Sequence, residues 1–202
     1  MNKLPIDFYN RKNVVQIAKE LIGKIAITNF NGRFTSGRIV ETEAYAGITD
    51  RASHAYAGKR TTRNEHMYSQ GATVYIYICY GIHQMLNIVT NESDIPDAIL
   101  IRAIEPMQGI EIMLERTGKK KPDHTLTRGP GNVARALGIN KSQSGLSLTG
   151  DKIFIASDHL LIEEDKIGSS KRIGVAYAEM DAMLPYRFFL KGNKYVSGKP
   201  NQ

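Results

Sequence analysis

The chain has 202 residues, a formal net charge of +7 at pH 7 and 42% hydrophobic residues, which is typical of one globular domain spanning residues 1–202. No hydrophobic run reaches the roughly 18 residues of a membrane span, and the first residues lack the apolar core of a signal peptide. A single cysteine excludes an intramolecular disulfide and a cysteine-rich zinc site, so we expect a cytoplasmic protein that does not associate with membranes. The positive charge favours a polyanionic partner, but charge alone is equally compatible with a basic protein that binds no nucleic acid.

In chain order, the first predicted elements are a helix and a β-hairpin. Apolar residues recur at helical spacing over 10–22. Residues 24–30 and 31–45 are predicted to pair as two strands, because the second segment begins with an Asn-Gly pair that is typical of a tight hairpin turn. Residues 46–72 show little periodicity and many small or polar side chains, which predicts a long surface loop.

A second hairpin and several short elements follow. Aromatic and β-branched residues predict a strand over 73–80, a tight turn at 80–83 and a returning strand over 84–90. The remaining predicted elements are a strand at 98–104, helices at 108–116 and 130–137, and short strands at 152–156, 159–163, 172–178 and 186–192. This order of elements predicts an α+β fold: a single domain with a mixed, mostly antiparallel curved sheet, short flanking helices and a protruding β-hairpin.

Two acidic residues lie on the strand that ends the first hairpin. Side chains alternate along a strand, so Glu41, Glu43 and Tyr45 are expected to share one face. A buried unpaired carboxylate is costly, and this face must therefore be exposed to solvent or line a polar site. A solvated strand edge is the simpler interpretation; the alternative is that a carboxylate acts as a general base and removes a proton from an attacking water. Arg102 interrupts an apolar strand and must be paired or face a site, and Glu43 is a suitable partner.

Three tyrosines mark the second hairpin. Tyr75 and Tyr77 share a strand face, where they could fill the core or stack on nucleobases, a contact worth roughly 1–3 kcal/mol per base. Tyr80 lies at the hairpin tip, where a side chain cannot easily be part of the core. It is therefore the best candidate for an aromatic side chain that is inserted between base pairs.

The segment between the two hairpins carries a basic cluster and a histidine. Lys59, Arg60 and Arg63 with Thr61 are suited to phosphate contacts, although a solvated loop explains the same pattern. His54 has no histidine or acid at metal-ligand spacing, so we expect no metal site. The chain also lacks the glycine patterns of Walker and Rossmann motifs, and we expect no cofactor.

These residues stand in strings that resemble a known family. The chain is similar to the 3-methyladenine (alkyladenine) DNA glycosylases of the mammalian alkyladenine glycosylase superfamily, as a bacterial-type member. The resemblance rests on GRIVETEAY, the histidine of DRASH, TTRN, ATVYIYICYG, the asparagine of MLN and LIRAIEP, with weaker similarity in RGPGNVARALGINK and RIGVAYA…YRFFLKG. It covers residues 4–199 and implies a monofunctional glycosylase that flips damaged purines out of double-stranded DNA and hydrolyses their glycosidic bonds. We also expect a monomer.

The resemblance implies a role for each residue at the reacting centre. Glu43 would be the general base, whereas the residues alone leave Glu41 and Glu43 open. Arg102 would hold the attacking water or the carboxylate. Tyr45 and Tyr77 would sandwich the flipped base.

Further residues are implied at the base edge and on the DNA. His54 would contact the edge of the base, and Asn87 would screen against the amino group of guanine. Tyr80 would fill the gap left in the duplex. The implied DNA contacts around it are made by Ile82, His83, Thr61 and Arg63. A non-catalytic nucleic-acid-binding module and an RNA-directed enzyme are the alternative functions.

Overall fold

A computed structural model of the chain describes residues 1–198, and its centre is one continuous sheet. The strands are β1 (Asn2–Lys3), β2 (Ile25–Phe30), β3 (Arg33–Tyr45), β4 (Val74–Cys79), β5 (His83–Thr90), β6 (Asp97–Gln108), β7 (Ile153–Ser157), β8 (Ile167–Ser170) and β9 (Arg187–Leu190). They lie in the order β1-β7-β2-β3-β6-β5-β4, while β9 pairs with β3 and β8 pairs with β9. Every pairing among these strands is antiparallel, and the predicted α+β class with a mostly antiparallel sheet is confirmed.

Short helices flank the sheet. The α-helices are α1 (Ile6–Tyr9), α2 (Val14–Glu20), α3 (Ile110–Thr117) and α4 (Pro130–Leu137). Helix α4 begins with a proline, whose fixed φ suits the first helical position, and ends at Gly138 in the left-handed conformation. None of the helices in residues 1–198 is long and apolar enough to cross a membrane.

The first hairpin and the helix before it are confirmed. Helix α2 is shorter than the predicted span, because it begins after Asn13, whose side chain accepts a hydrogen bond from the Gln16 N–H at 3.0 Å. Asn31 and Gly32 both have positive φ, as the tight turn between β2 and β3 requires. Also confirmed are the second hairpin, the strand at 98–104, the later two helices and the strands at 152–156 and 186–192.

Two strands predicted in the last third are wrong. Residues 159–163 form no strand; His159 has a left-handed φ of 62° and Leu161 is 91% exposed, so this apolar stretch does not enter the sheet. Residues 172–178 lead into a 3-10 segment, and the Ile173 N–H donates to the Glu43 side chain instead of to a neighbouring strand. Strand β8, which the sequence did not predict, pairs with β9.

The loop predicted over residues 46–72 is confirmed in that it contains no α-helix or strand, but it does not lie wholly at the surface, because part of it is buried against the sheet. This first covering segment contains 3-10 turns at Tyr56–Gly58 and Glu65–Tyr68. It buries Ala52, Ala55 and other small or apolar side chains. A second covering segment, residues 171–183, packs beside it.

Strand alternation gives the sheet two different faces. One face packs on α2 and α4 and is apolar; it contributes Ile39, Ala44, Ile76, Leu86, Ile88, Ile99 and Ile101 to the main core. The opposite face carries Glu43, Tyr77, Asn87 and Arg102 on four adjacent strands, as alternation along β3 predicts for its acids. The two covering segments lie over this second face and leave a cavity between them.

Candidate active site

A cavity of about 420 Å³ opens on the polar face of the sheet. Its volume lies within the roughly 300–1,000 Å³ that is usual for small-molecule sites. The strands β3 to β6 form its floor and the two covering segments form its walls. Its lining includes Tyr45, His54, Tyr75, Tyr77, Asn87, Arg102, Ile173 and Tyr177.

Glu43 is fully buried directly beneath the residues that line the cavity floor. Its Oε2 accepts hydrogen bonds from the Tyr45 hydroxyl at 2.9 Å and from Arg102 Nη1 at 3.2 Å, and its Oε1 accepts one from the Ile173 N–H at 2.7 Å. All three donors belong to residues that line the cavity. A carboxylate offers about four lone-pair positions, so within residues 1–198 one position on Glu43 remains for a further donor.

Glu41 is equally buried, but two of the three residues that bind it, Arg187 and Ser197, lie outside the cavity lining. Its Oε1 accepts hydrogen bonds from Arg102 Nε at 2.9 Å, Arg187 Nε at 2.7 Å and the Ser197 hydroxyl at 2.9 Å. Its Oε2 accepts one from the Ser197 N–H at 2.6 Å. The expectation of a solvated strand edge is therefore wrong, because both carboxylates are buried and paired. Of the two, Glu43 is the acid whose donors among residues 1–198 all line the cavity.

Arg102 lies between the two carboxylates, and these neutralise the positive charge that it introduces into an otherwise apolar strand. Burial acts to lower the pKa of its guanidinium, but the adjacent Glu43 and Glu41 outweigh burial and raise the pKa above its ordinary value. Arg102 therefore keeps its positive charge at the cavity floor.

Aromatic rings line the cavity on the strand β4 side. The ring centres of His54 and Tyr77 lie 4.5 Å apart in an edge-to-face arrangement, and those of Tyr75 and Tyr77 lie 5.8 Å apart. His54 Nδ1 shares a hydrogen bond of 2.9 Å with the Tyr75 hydroxyl. Burial, with Arg63 and Lys59 nearby, lowers the pKa of His54 to about 4, so its imidazole is neutral at pH 7. The structure therefore brings both predicted base-contacting residues of this side, His54 and Tyr77, into the cavity.

The β3 side of the cavity and the middle of its floor contain the remaining predicted base contacts. Tyr45 lines the cavity, and burial, then the Glu43 charge, raises the pKa of its hydroxyl well above the ordinary value. Asn87 is buried at the floor, where its Nδ2 donates to the carbonyls of Tyr75 at 3.3 Å and Met85 at 3.1 Å. Because carbonyls only accept, these bonds determine which end of the Asn87 amide carries the oxygen.

The tip of the second hairpin stands at the cavity mouth. Tyr80 and Gly81 have φ values of 50° and 74°, as a type I′ turn requires, and Tyr80 is 89% exposed. Few non-glycine residues adopt such a φ, and those that do are concentrated at functional sites. Ile82 and His83 are exposed beside Tyr80 but do not belong to the cavity lining.

The predicted basic cluster is divided by the structure. Arg63 lines the cavity and, with Thr61, an adjoining depression at the surface. Arg60 instead forms ion pairs with Glu65 at 2.6 Å and Asp94 at 2.7 Å. Of the cluster's two arginines, the one that faces the cavity is Arg63.

Sequence reasoning missed the second covering segment. Arg172 and Asp50 form a buried two-bond ion pair, and the Arg172 guanidinium lies 4.8 Å from the centre of the Tyr45 ring. Tyr177 donates its hydroxyl to the Ala52 carbonyl at 3.1 Å and so joins the two covering segments. One feature of the sequence could have indicated it: Arg172 precedes apolar residues in RIGVA, just as Arg102 interrupts an apolar strand.

Across residues 1–198, no group of three or more His, Cys, Asp or Glu side chains is placed to hold a metal ion.

Comparison with known proteins points to one family. A family model described as methylpurine-DNA glycosylase matches residues 7–194. A relative from Clostridium perfringens (strain 13 / Type A) is 43% identical over 205 residues, which cover 98% of this chain and 100% of the relative. A relative from Desulfitobacterium hafniense (strain Y51) is 43% identical over 98% of this chain and 100% of its own length. One from Chlamydia felis (strain Fe/C-56) is 44% identical over 95% of this chain and 97% of its own length. All three are named "Putative 3-methyladenine DNA glycosylase".

Proposed function

The chain belongs to the methylpurine-DNA glycosylase family, and on that premise we propose that it hydrolyses the N-glycosidic bond of alkylated purines in duplex DNA. The products are the free base and an abasic site. The residues that carry the reaction are those gathered around the cavity.

Glu43 is the general base for the attacking water. The water donates a hydrogen bond to the remaining lone pair of Glu43 and attacks the sugar C1′. As the new C–O bond forms, the C1′–N bond breaks, its electron pair leaves with the purine, and the proton of the water passes to Glu43. Arg102 and Tyr45 hold Oε2 of the same carboxylate, so they orient it without occupying the position that the water needs.

The cavity suits a purine that carries positive charge. Alkylation at a ring nitrogen makes the base cationic, and the base then leaves as a neutral molecule. The faces of Tyr45 and Tyr77 attract such a cation. His54 adds no opposing charge, because its low pKa keeps it neutral. Asn87 at the floor screens against the amino group of guanine.

The hairpin tip and the first covering segment engage the duplex. A base inside the stack is reached only after it is flipped out, at a cost of roughly a few kcal/mol that is least for damaged bases. Tyr80 fills the gap, with Ile82 and His83 alongside it in the minor groove. Thr61 and Arg63 contact the phosphates near the flipped nucleotide.

Water, and not a protein amine, is the nucleophile. A lyase of the Schiff-base type needs a lysine at C1′, and no lysine is found among the residues of 1–198 that line the cavity. This lining supports a monofunctional enzyme. We further propose that it acts as a monomer, and chromosomal DNA as substrate supports action in the bacterial cytoplasm.

The observation that carries the proposal is the difference in position between the two buried acids: the donors to Glu43 all line the cavity, whereas Glu41 is also held by Arg187 and Ser197, which do not. The test is release of free base from duplexes that each contain one lesion, measured by chromatography with enzyme in excess. The panel contains 3-methyladenine and hypoxanthine, since the neutral base shows whether deaminated purines are also substrates.

Glu43→Gln keeps the shape of the side chain but removes the base. We expect release of 3-methyladenine to slow by about 10²–10⁴-fold, the usual contribution of a general base, while the lesion duplex is still bound. Glu115→Gln is the matched control, because Glu115 is an exposed carboxylate paired with Arg33. Absence of base release by the unaltered protein would refute the function, and full turnover by Glu43→Gln would refute the role of Glu43.

A further inference from the structure

Arg102 has every nitrogen of its guanidinium bound to a side chain. Its Nε donates to Glu41 at 2.9 Å, its Nη1 to Glu43 at 3.2 Å, and its Nη2 to the Ser197 hydroxyl at 3.1 Å. A guanidinium bound in this way cannot rotate or shift without breaking a hydrogen bond. Its position against Glu43 therefore depends on the two groups that hold its other nitrogens.

Glu41 is itself held from the far end of the chain. Arg187 on β9 donates its Nε to Glu41 and its Nη2 to the Ser197 carbonyl at 2.6 Å. Ser197 donates both its N–H and its hydroxyl to Glu41. The Arg187 Nη1 donates to the Ser170 hydroxyl at 2.9 Å, which joins β8 to the same set. These contacts place residues after β9 at the back of the cavity floor.

We propose that Glu41 is a positioning residue: held by Arg187 and Ser197, it fixes the Arg102 guanidinium against Glu43, so that the chain segment at Ser197 is part of the catalytic apparatus. This inference rests on the proposed function, and it goes beyond that function because it assigns roles to Glu41, Arg187 and Ser197. These three act through Arg102 and do not touch the substrate.

The local backbone supports this role. The pairing of β3 with β6 shifts register on both sides of Glu41, between Ile39 and Glu41 and again between Glu41 and Thr42. A bulge of this kind re-aims side chains and is common next to active sites. In this chain it lies at the position where the Glu41 carboxylate meets the guanidinium of Arg102.

Charge gives the arrangement a consequence that a purely structural contact would lack. Two carboxylates and two guanidiniums lie together in this largely buried set, so their formal charges balance. Removing the charge of Glu41 leaves Glu43 alone with two cations. The anionic form of Glu43 is then favoured more strongly, so it holds the proton of the water less well. Base release should slow, and the acid side of its pH profile should move to lower pH.

The test is Glu41→Gln, which keeps the size of the side chain. Its amide N–H₂ group cannot accept the Ser197 N–H, and its oxygen carries no charge to balance Arg102. We expect single-turnover release of 3-methyladenine to fall at least tenfold at pH 7, with an acid limb displaced to lower pH. Affinity for the same duplex should change less than twofold, because the cavity lining is intact.

Ser197→Ala is a second variant with a smaller expected effect. It removes the hydroxyl that accepts from Arg102 and donates to Glu41, but it keeps the backbone N–H. We expect its single-turnover rate of base release to fall a few fold. The double variant, Glu41→Gln with Ser197→Ala, should be slowed by less than the product of the two single effects, because both residues act through Arg102. Ile27→Ala on β2, in the buried cluster with Ile25 and Ala156, is the control for lost stability, since it should leave the pH profile unchanged.

The outcomes separate this inference from the function on which it rests. If the unaltered protein releases no base, the proposed function fails. If it releases base and folded Glu41→Gln shows the same rate and pH profile, Glu41 has no positioning role. A displaced pH profile in the Ile27→Ala control would equally overturn the inference, because lost stability alone would then explain it.

Discussion

The buried ion pair between Asp50 and Arg172 offers the sharpest test of how the covering segments are held. Both side chains are almost completely buried, at 1% and 0% exposure. Arg172 binds both carboxylate oxygens and also donates to the Ala44 carbonyl at 2.8 Å. Asp50 in turn accepts the backbone N–H groups of Ala46 at 3.1 Å and Ala52 at 2.9 Å. Asp50→Asn therefore leaves a buried guanidinium without its counter-charge.

The size of the effect follows from burial. Breaking a buried pair by removing one partner costs about 3–5 kcal/mol, because the remaining charge is uncompensated. For a chain of this length a loss of 1 kcal/mol lowers the melting temperature by roughly 2–4 °C. We therefore expect Asp50→Asn to lower the melting temperature by about 6–20 °C.

The assay is thermal and urea unfolding followed by circular dichroism. Glu115→Gln is the matched control, since it removes a carboxylate from an exposed arginine pair that should be worth about 1 kcal/mol or less. A loss of stability for Asp50→Asn as small as that of the control would refute the reasoning. It would mean that the buried guanidinium is compensated by the Ala44 carbonyl and its other backbone partners.

Two other predictions concern the hairpin tip and the response to pH. Tyr80→Ala should leave folding unchanged, because the side chain is 89% exposed, but it should weaken binding to a lesion duplex more than binding to undamaged DNA; anisotropy titrations at one salt concentration check this, and equal losses would contradict the wedge. Burial, with Arg63 and Lys59, lowers the pKa of His54 from 6.5 to about 4. As the pH drops from 6.5 to about 4, the unfolded chain therefore binds a proton at His54 before the folded chain does, and the free energy of unfolding should fall by about 3 kcal/mol. Burial raises the pKa of Asp97 from 3.8 to about 6, so its contribution has the opposite sign and is lost as pH rises through that range. Urea unfolding at a series of pH values checks both assignments. Toward acid pH, the free energy of unfolding should fall less steeply for His54→Gln and more steeply for Asp97→Asn than for the unaltered protein. If both variants showed the same pH dependence as the unaltered protein, the two pKa assignments would be contradicted.

Much of the sheet could be predicted, because the signals involved are local. The Asn31-Gly32 turn, the aromatic strands of the second hairpin and the exposed position of Tyr80 follow from turn chemistry and strand composition. The errors have a common cause. The apolar stretch at 159–163 resembles a strand but has no pairing in the fold, whereas β8 is a strand because β9 offers it one.

The covering segments could not be predicted in the same way. Residues 46–72 have neither helical nor strand periodicity, and their burial comes from the sheet face beneath them and from the bond that Tyr177 makes to Ala52. The Asp50–Arg172 pair joins residues 122 positions apart, and no local pattern connects them.

The two acids of β3 show most clearly which properties follow from the local sequence and which follow from tertiary contacts. The sequence by itself determined that Glu41, Glu43 and Tyr45 share one face, because side-chain alternation is a property of the strand backbone. Only the tertiary structure decided how the acids differ, since Arg187 and Ser197 come from 146 and 156 residues away to bind Glu41 on the side away from the cavity lining. Glu43 meets the cavity lining instead and keeps one lone pair among the described residues. Which of the two carboxylates lies next to the cavity is therefore a property of these tertiary contacts and not of the strand itself.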